Sequence, residues 1–234
     1  DKGYKDKVVD EVWEILRAFA SFGFCKAHAA AFALPTYQSA WLKTHHPAPF
    51  FAGLLTHDPG MYPKRLILDE ARQMKIPILP LDVNKSDAIY RVENDGIRVA
   101  LSDLTGISTE EVENIVKAQP YLDLVDFVRR SRASYPITEG LIKVGAFDSL
   151  HNVNRRELLL HLRDIDKSPS RALSGAQMDL GFAPPDLKPV GLKDLTNEEK
   201  LSNELINLGM DISTHLITSY GKFLNKVGAV RSSD

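Results

Sequence analysis

The sequence predicts a mainly α-helical, multi-domain chain with one small β-hairpin, on three observations. Apolar residues recur at three- and four-residue spacing from the first turns onward, beginning with Val8, Val12, Ile15, Leu16 and Phe19, which is the stripe of an amphipathic helix. In IYRVENDGIRVAL, two short β-type runs are joined by Asn94-Asp95-Gly96, a strong hairpin signal. Beyond it, LTGIS at Gly106 and KVGAFDS at Gly145 set glycine turns between short helical patterns, and two such turns separated by helices suggest tandem helix-hairpin-helix units.

Composition limits the function. With 234 residues, 44% of them hydrophobic, the chain has ample apolar material for packed cores, and a net charge of −2 supplies no global field for a polyanion. Any nucleic-acid binding must therefore come from local basic patches. The single cysteine excludes an internal disulfide. With no basic-then-apolar leader pattern, a reducing cytoplasm is the expected home. No apolar run approaches a membrane span. The chain opens on Asp1 and enters helical periodicity almost at once, so a piece of a longer protein is expected.

Taken in order, the first helix is expected from Val8 to a stop at Gly23, where a left-handed residue ends it cheaply. A second should run from about Lys26 to His45, apolar nearly all round its first half and so buried. Pro35 inside it removes a hydrogen bond to the Ala31 carbonyl, and a kink or break is expected there. Pro47 and Pro49 open a third helix, PFFAGLLT. MYPKRLILDEARQMKI reads as a fourth, with Leu66, Ile67, Ala71 and Met74 inward. Texture changes at IPILPLDVNKS, placing a boundary near Pro77 to Ser86. After the hairpin come STEEVENIVKA, LDLVDFVRRS, ITEGLIKV and NRRELLLHLRDI, all helical. DKSPSRALSGAQMDLGFAPPDLKPVG reads as a linker. LTNEEKLSNELINLGM is a last amphipathic helix opened by a Thr196/Glu199 capping box.

The candidate sites are binding sites. Gly106, Ile107 and Ser108 could turn backbone N–H groups toward a phosphate at a helix N-terminus, and Gly145 repeats the device. Arg129, Arg130, Arg132, Lys143, Arg155 and Arg156 could supply the salt-dependent part of such binding. The plain alternative is that each glycine merely joins two helices. In GAQMDLGFAPP, the residues Gln177, Met178, Leu180 and Phe182 put large apolar side chains into a proline- and glycine-flanked segment, where they dock either in a partner's pocket or, as the pattern alone favours, on the same fold. Cys25 with His28 has no orienting third residue, and adjacent His45 and His46 point about 100° apart on a helix. Neither pair reads as a catalytic or metal site, and Cys25 is expected to be packing.

FGFCKAHAAAFALPTYQSAWLKTHHPAPFFAGLLT closely resembles the fingers segment of bacterial C-family DNA polymerases, the DNA polymerase III alpha subunit family. The resemblance runs on through ARQMKIPILPLDVNKS, GIRVALSDLTGIS and LIKVGAFDSL, from about Val8 to Leu162, with a weaker match in NLGMDISTHLI. HDPGMYPKRLILDEAR looks like the error-prone branch. Ala27 and Phe32 stand where that family usually has serine and tyrosine, and Pro35 is atypical. The resemblance implies that Lys26 lies near the triphosphate or template phosphates and His28 against the nascent base pair. It also turns the Gln177 to Phe182 segment into a sliding-clamp-binding peptide.

The implied organisation is the end of the fingers (1–76), a connector with the β-hairpin (77–101), a tandem helix-hairpin-helix DNA-binding domain (102–165), a linker with the clamp peptide (166–192) and a helical lead into an OB domain (193–234). The implied partners are duplex primer-template DNA, the sliding clamp and, in the whole enzyme, the incoming nucleotide, in the bacterial cytoplasm at the nucleoid. The family's reaction uses magnesium ions held by palm aspartates outside this chain. The chain itself is therefore expected to carry no catalytic residue, metal or cofactor. A non-polymerase repair adaptor or a protein-interaction module are the alternatives.

Overall fold

The computed structural model describes residues 3–20, 26–167 and 187–230, which fall into two compact units, Asp1–His46 and Pro47–Asp234. Gly23, Cys25 and the Gln177 to Phe182 peptide lie outside the described residues.

The first unit holds α1 (Asp6–Ala20) and α2 (Lys26–His45). Both helices form where periodicity placed them, but the expected burial of α2 is corrected: none of its residues is buried, and Phe32 and Leu34 are about 60% exposed. Two helices alone are too little chain to enclose a core. Nor does Pro35 break α2, which is continuous across it. A single proline costs one ladder hydrogen bond, and Thr36 Oγ1 donates to the Phe32 carbonyl at 2.7 Å in the same turn.

In the second unit, α3 (Pro47–His57) packs on α4 (Lys64–Gln73). The inward face of α4 is Ile67, Leu68 and Ala71, whereas Leu66 and Met74, expected inside, are exposed. Ile67, Leu68 and Ala71 share one buried cluster with Phe51, Ala52 and Leu55 of α3. Then comes a three-stranded sheet of order β1-β3-β2, with β1 (Ile78–Leu79) parallel and β2 (Arg91–Glu93) antiparallel to the central, fully buried β3 (Gly96–Arg98). The hairpin forms as expected, with Asn94 and Asp95 at φ 49° and 60°, the mirror-image turn whose twist suits paired strands. β1 is an addition that the sequence reading took as connector. It is an edge strand, so its flanking prolines lose no ladder bond. Gly96 lets it approach, since a Cβ there would lie 2.9 Å from the Pro77 carbonyl oxygen.

A short 3-10 turn (Leu101–Asp103) leads into α5 (Thr109–Ala118), α6 (Leu124–Arg130), α7 (Tyr135–Lys143) and α8 (Arg155–Lys167). After residue 187 come α9 (Asn197–Leu208), a second 3-10 turn (Leu216–Tyr220) and α10 (Gly221–Lys226). The hydrophobic cluster is continuous from Ala48 to Ile212 and passes through Ile76, Leu81 and Val83, so the stretch of changed composition around Pro77 to Ser86 lies inside one compact unit. Tyr121, Phe127 and Phe147 stack edge to face through its middle at 4.8 and 5.0 Å. At one side Lys64 Nζ pairs with Asp103 at 2.6 Å, and the Tyr90 hydroxyl donates to the other oxygen of the same carboxylate. Burial, reinforced by Asp103, pushes the Tyr90 phenol far above its ordinary range, so it remains a donor. Among the described residues no helix is long and apolar enough to cross a membrane.

Candidate nucleic-acid interface

The first glycine turn is exposed and built from both sides. Gly106 has φ 82°, and the space where its Cβ would stand is open. Behind the turn, the Thr105 N–H donates to the Asn207 carbonyl of α9 at 2.8 Å. Of the three donors expected here, two are used internally. Ile107 N–H closes a turn onto the Leu104 carbonyl at 3.2 Å, and Ser108 N–H donates to the Glu111 carboxylate at 3.0 Å. The Gly106 N–H makes no hydrogen bond among the described residues. Ser108 caps α5, its Oγ accepting from Glu111 N–H at 3.2 Å.

Glu111 also reaches a second helix. One carboxylate oxygen takes the N–H and hydroxyl of Ser108, at 3.0 and 2.9 Å, and the other takes the N–H and hydroxyl of Ser134 at 2.9 and 2.8 Å. Ser134 is the N-cap of α7. Partial burial pushes the Glu111 carboxyl up, but these Ser134 and Ser108 donors outweigh it and hold the group below its usual range.

The second glycine turn is a different object. Gly145, at φ 86°, is buried, and a Cβ there would stand 2.1 Å from Nη2 of Arg155. That guanidinium donates from Nη2 to Asp148 at 2.6 Å and from Nη1 to the Lys143 carbonyl at 3.1 Å. The carbonyl of Ala146, the residue after Gly145, accepts the Val83 N–H at 2.9 Å. Gly145 and Arg155, both expected at the DNA backbone, are instead packed on each other inside the fold, because an arginine must lie flat where a side chain at Gly145 would have been.

The remaining basic residues divide by what holds them. Arg130 chelates Asp126 at 2.7 and 2.8 Å, donates to the Ala118 carbonyl at 2.7 Å and lies over the Tyr121 ring at 4.9 Å. Lys143 pairs with Glu139 at 3.1 Å, both half-buried, and Arg156 with Glu199 at 2.9 Å, both exposed. Arg129 and Arg132 are exposed and make no ion pair or hydrogen bond among the described residues. In the other unit, Lys26 opens α2 and is exposed, and His28 is exposed with its ring against Phe32 at 4.6 Å. His45 and His46 both pack on Trp41, at 4.7 and 5.4 Å.

Sequence reasoning passed over the polar joint at Asp82 to Ser86. Asn84 Nδ2 donates to the Tyr121 carbonyl at 2.8 Å while its Oδ1 accepts the Tyr121 N–H at 2.7 Å. Ser86 donates to the Val99 carbonyl at 2.9 Å, and Gln119 donates to the Val83 and Ser86 carbonyls, both at 2.9 Å. The joint thus ties the sheet to the loop between α5 and α6. Also missed was Glu157, whose Oε1 gathers the N–H groups of Val190, Gly191 and Leu192 at 2.8, 2.7 and 3.0 Å and docks that segment on α8. Burial pushes its carboxyl up, but the Gly191, Leu192 and Val190 donors win and its pKa is lowered. The spacing Asn154 to Glu157 is a capping signature that could have marked it. Asp69, Asp211 and His215 converge within 4.8 Å, but Arg72 lies among them, 2.7 Å from Asp69 and 4.0 Å from Asp211, and supplies the positive charge.

A family model described as a helix-hairpin-helix motif matches residues 75–158. The chain is 33% identical, over 95% of its length, to an error-prone DNA polymerase of Bdellovibrio bacteriovorus, of which it covers 22%. It is 39% identical over 63% of its length to an error-prone DNA polymerase of Corynebacterium diphtheriae, covering 14% of that protein. To the DNA polymerase III subunit alpha of Pseudomonas aeruginosa it is 32% identical over 94% of its length, covering 22%. It thus spans about a fifth of the curated relatives that it matches from end to end.

Proposed function

The chain is homologous to a segment of the bacterial DNA polymerase III alpha and error-prone DNA polymerase family, and on that premise we propose that it is the part of a DNA-directed DNA polymerase that grips the duplex primer-template. The observation that carries the reading is a helix-hairpin-helix match over residues 75–158 whose first turn holds an exposed Gly106 with its N–H unbonded among the described residues. Arg132, and Arg129 beside the Asp126 carboxylate, provide exposed charge on the same unit. Arg156 can exchange its exposed Glu199 partner for a phosphate at little cost, since such a surface pair is worth only about 0–1 kcal/mol, and Lys143 adds a half-buried charge to the same basic set. Gly145 and Arg155 shape the domain and leave the contact to the others. Such contacts hold phosphates without reading bases.

The same homology supports the finer roles. Lys26 and His28 face the incoming nucleotide and nascent base pair when the rest of the polymerase lies opposite them. Gln177, Met178, Leu180 and Phe182 bind the sliding clamp, with Leu180 and Phe182 as apolar anchors. Nucleotide transfer draws on magnesium ions held by carboxylates elsewhere in the enzyme, in the bacterial cytoplasm beside the nucleoid.

Fluorescence anisotropy of a labelled duplex at two salt concentrations tests the grip. Weak, sequence-independent binding that falls steeply with salt is expected; no binding at low salt would turn the reading toward a protein-interaction module. For the linker, the double substitution Leu180→Ala, Phe182→Ala should weaken clamp binding about a thousandfold, since buried anchors of this kind cost about 2 kcal/mol or more each, and leave duplex affinity unchanged. Unaltered clamp affinity removes the peptide from the proposal.

A further inference from the structure

We propose that Glu111 is a positioning residue that locks the Gly106 turn to the Arg132 corner, so that both contact the phosphate backbone as one surface; the inference rests on the DNA-grip reading above. A single carboxylate holds Ser108, two residues after Gly106, and Ser134, two residues after Arg132, through four hydrogen bonds of 2.8–3.0 Å. Arg132 has a left-handed backbone at φ 57°, a conformation a non-glycine residue keeps only when its surroundings impose it. Ser134, fastened to Glu111, is the neighbouring fixed point. Gly106 and Arg132 each lie two residues before their serine, a span of at most about 7 Å, so the Gly106 N–H and the Arg132 guanidinium fall within the reach of a few consecutive nucleotides.

The assignment reverses the sign that charge alone predicts. A carboxylate beside phosphates repels them, so if Glu111 were only an exposed charge, its removal would tighten DNA binding. As a clamp between two contact points, its removal should loosen it.

The experiment uses the whole chain and a labelled duplex at low salt, with thermal melts as a check of folding. Glu111→Ala should weaken binding roughly fivefold, about the worth of one misplaced phosphate contact. Ser134→Ala keeps the negative charge, the Ser108 cap and the Ser134 N–H bond to Glu111 and removes only the hydroxyl bond; it should weaken binding by about twofold and carries the test if Glu111→Ala does not fold. Arg132→Ala should reduce the salt slope by about one and cost little more when added to Glu111→Ala. Unchanged or tighter binding by Glu111→Ala or Ser134→Ala, or full additivity with Arg132→Ala, overturns the positioning role while leaving the DNA grip standing. A wild-type chain that fails to bind duplex overturns the grip and this role with it.

Discussion

Gly145→Ala should lower the unfolding free energy by about 4 kcal/mol, because three costs fall on one methyl group. Left-handed backbone costs a non-glycine residue about 1–2 kcal/mol. The methyl would stand 2.1 Å from the Arg155 guanidinium, which must swing away. In doing so it gives up the Asp148 pair and the Lys143 carbonyl, and loss of a charged hydrogen bond of this kind costs about 1.5–3 kcal/mol. Gly106→Ala is the internal control. Its φ of 82° is similar, but its Cβ meets open space, so only the backbone cost of about 1–2 kcal/mol applies. Urea denaturation of both variants separates them by midpoint. If the clash is the cause, Arg155→Ala and Gly145→Ala will also be markedly non-additive. Equal losses at the two glycines would refute the account.

Asn84→Ala should cost about 3 kcal/mol, since it leaves both the N–H and the carbonyl of buried Tyr121 without partners and each orphaned group costs about 1–3 kcal/mol. Asn84→Asp is the sharper variant. The new carboxylate still accepts the Tyr121 N–H, but its second oxygen faces the Tyr121 carbonyl where an amide donated. At neutral pH two acceptors oppose each other. Once acid protonates the introduced group, a donor is restored. The folded state then favours the protonated form, the variant's folded pKa is raised, and its deficit relative to wild type should shrink as pH falls. Chemical denaturation at pH 7 and pH 5 checks this. A deficit that grows on acidification would mean that the amide's donor is unimportant.

Much of the local structure was legible because it depends on neighbours in sequence. The Asn94-Asp95-Gly96 hairpin forms because those residues tolerate positive φ, and Ser108 and Thr196 cap α5 and α9 because each has a glutamate three residues on. Burial was less legible. Periodicity marks a stripe, but whether it lies inside depends on having a second layer to meet. Hence α2 is exposed despite its apolar first half, and α4 turns Leu68 inward in place of Leu66 and Met74. A two-residue strand such as β1 has no periodicity to read and exists only because β3 offers it an edge.

The candidate site divides along the same line. Sequence by itself determined that two glycine turns, a basic cluster and capped helices lie within one region, and the residues quoted for the resemblance identify the family. Only the tertiary structure decided that the turns are unlike. A turn's backbone conformation follows from its glycine, whereas its exposure follows from what folds over it: open solvent at Gly106, and at Gly145 an arginine ten residues on. The same holds for charge. Sequence counts arginines, but packing decides which spend their hydrogen bonds on nearby carboxylates and carbonyls, as Arg130 and Arg155 do, and which, like Arg129 and Arg132, stay exposed with no hydrogen bond among the described residues.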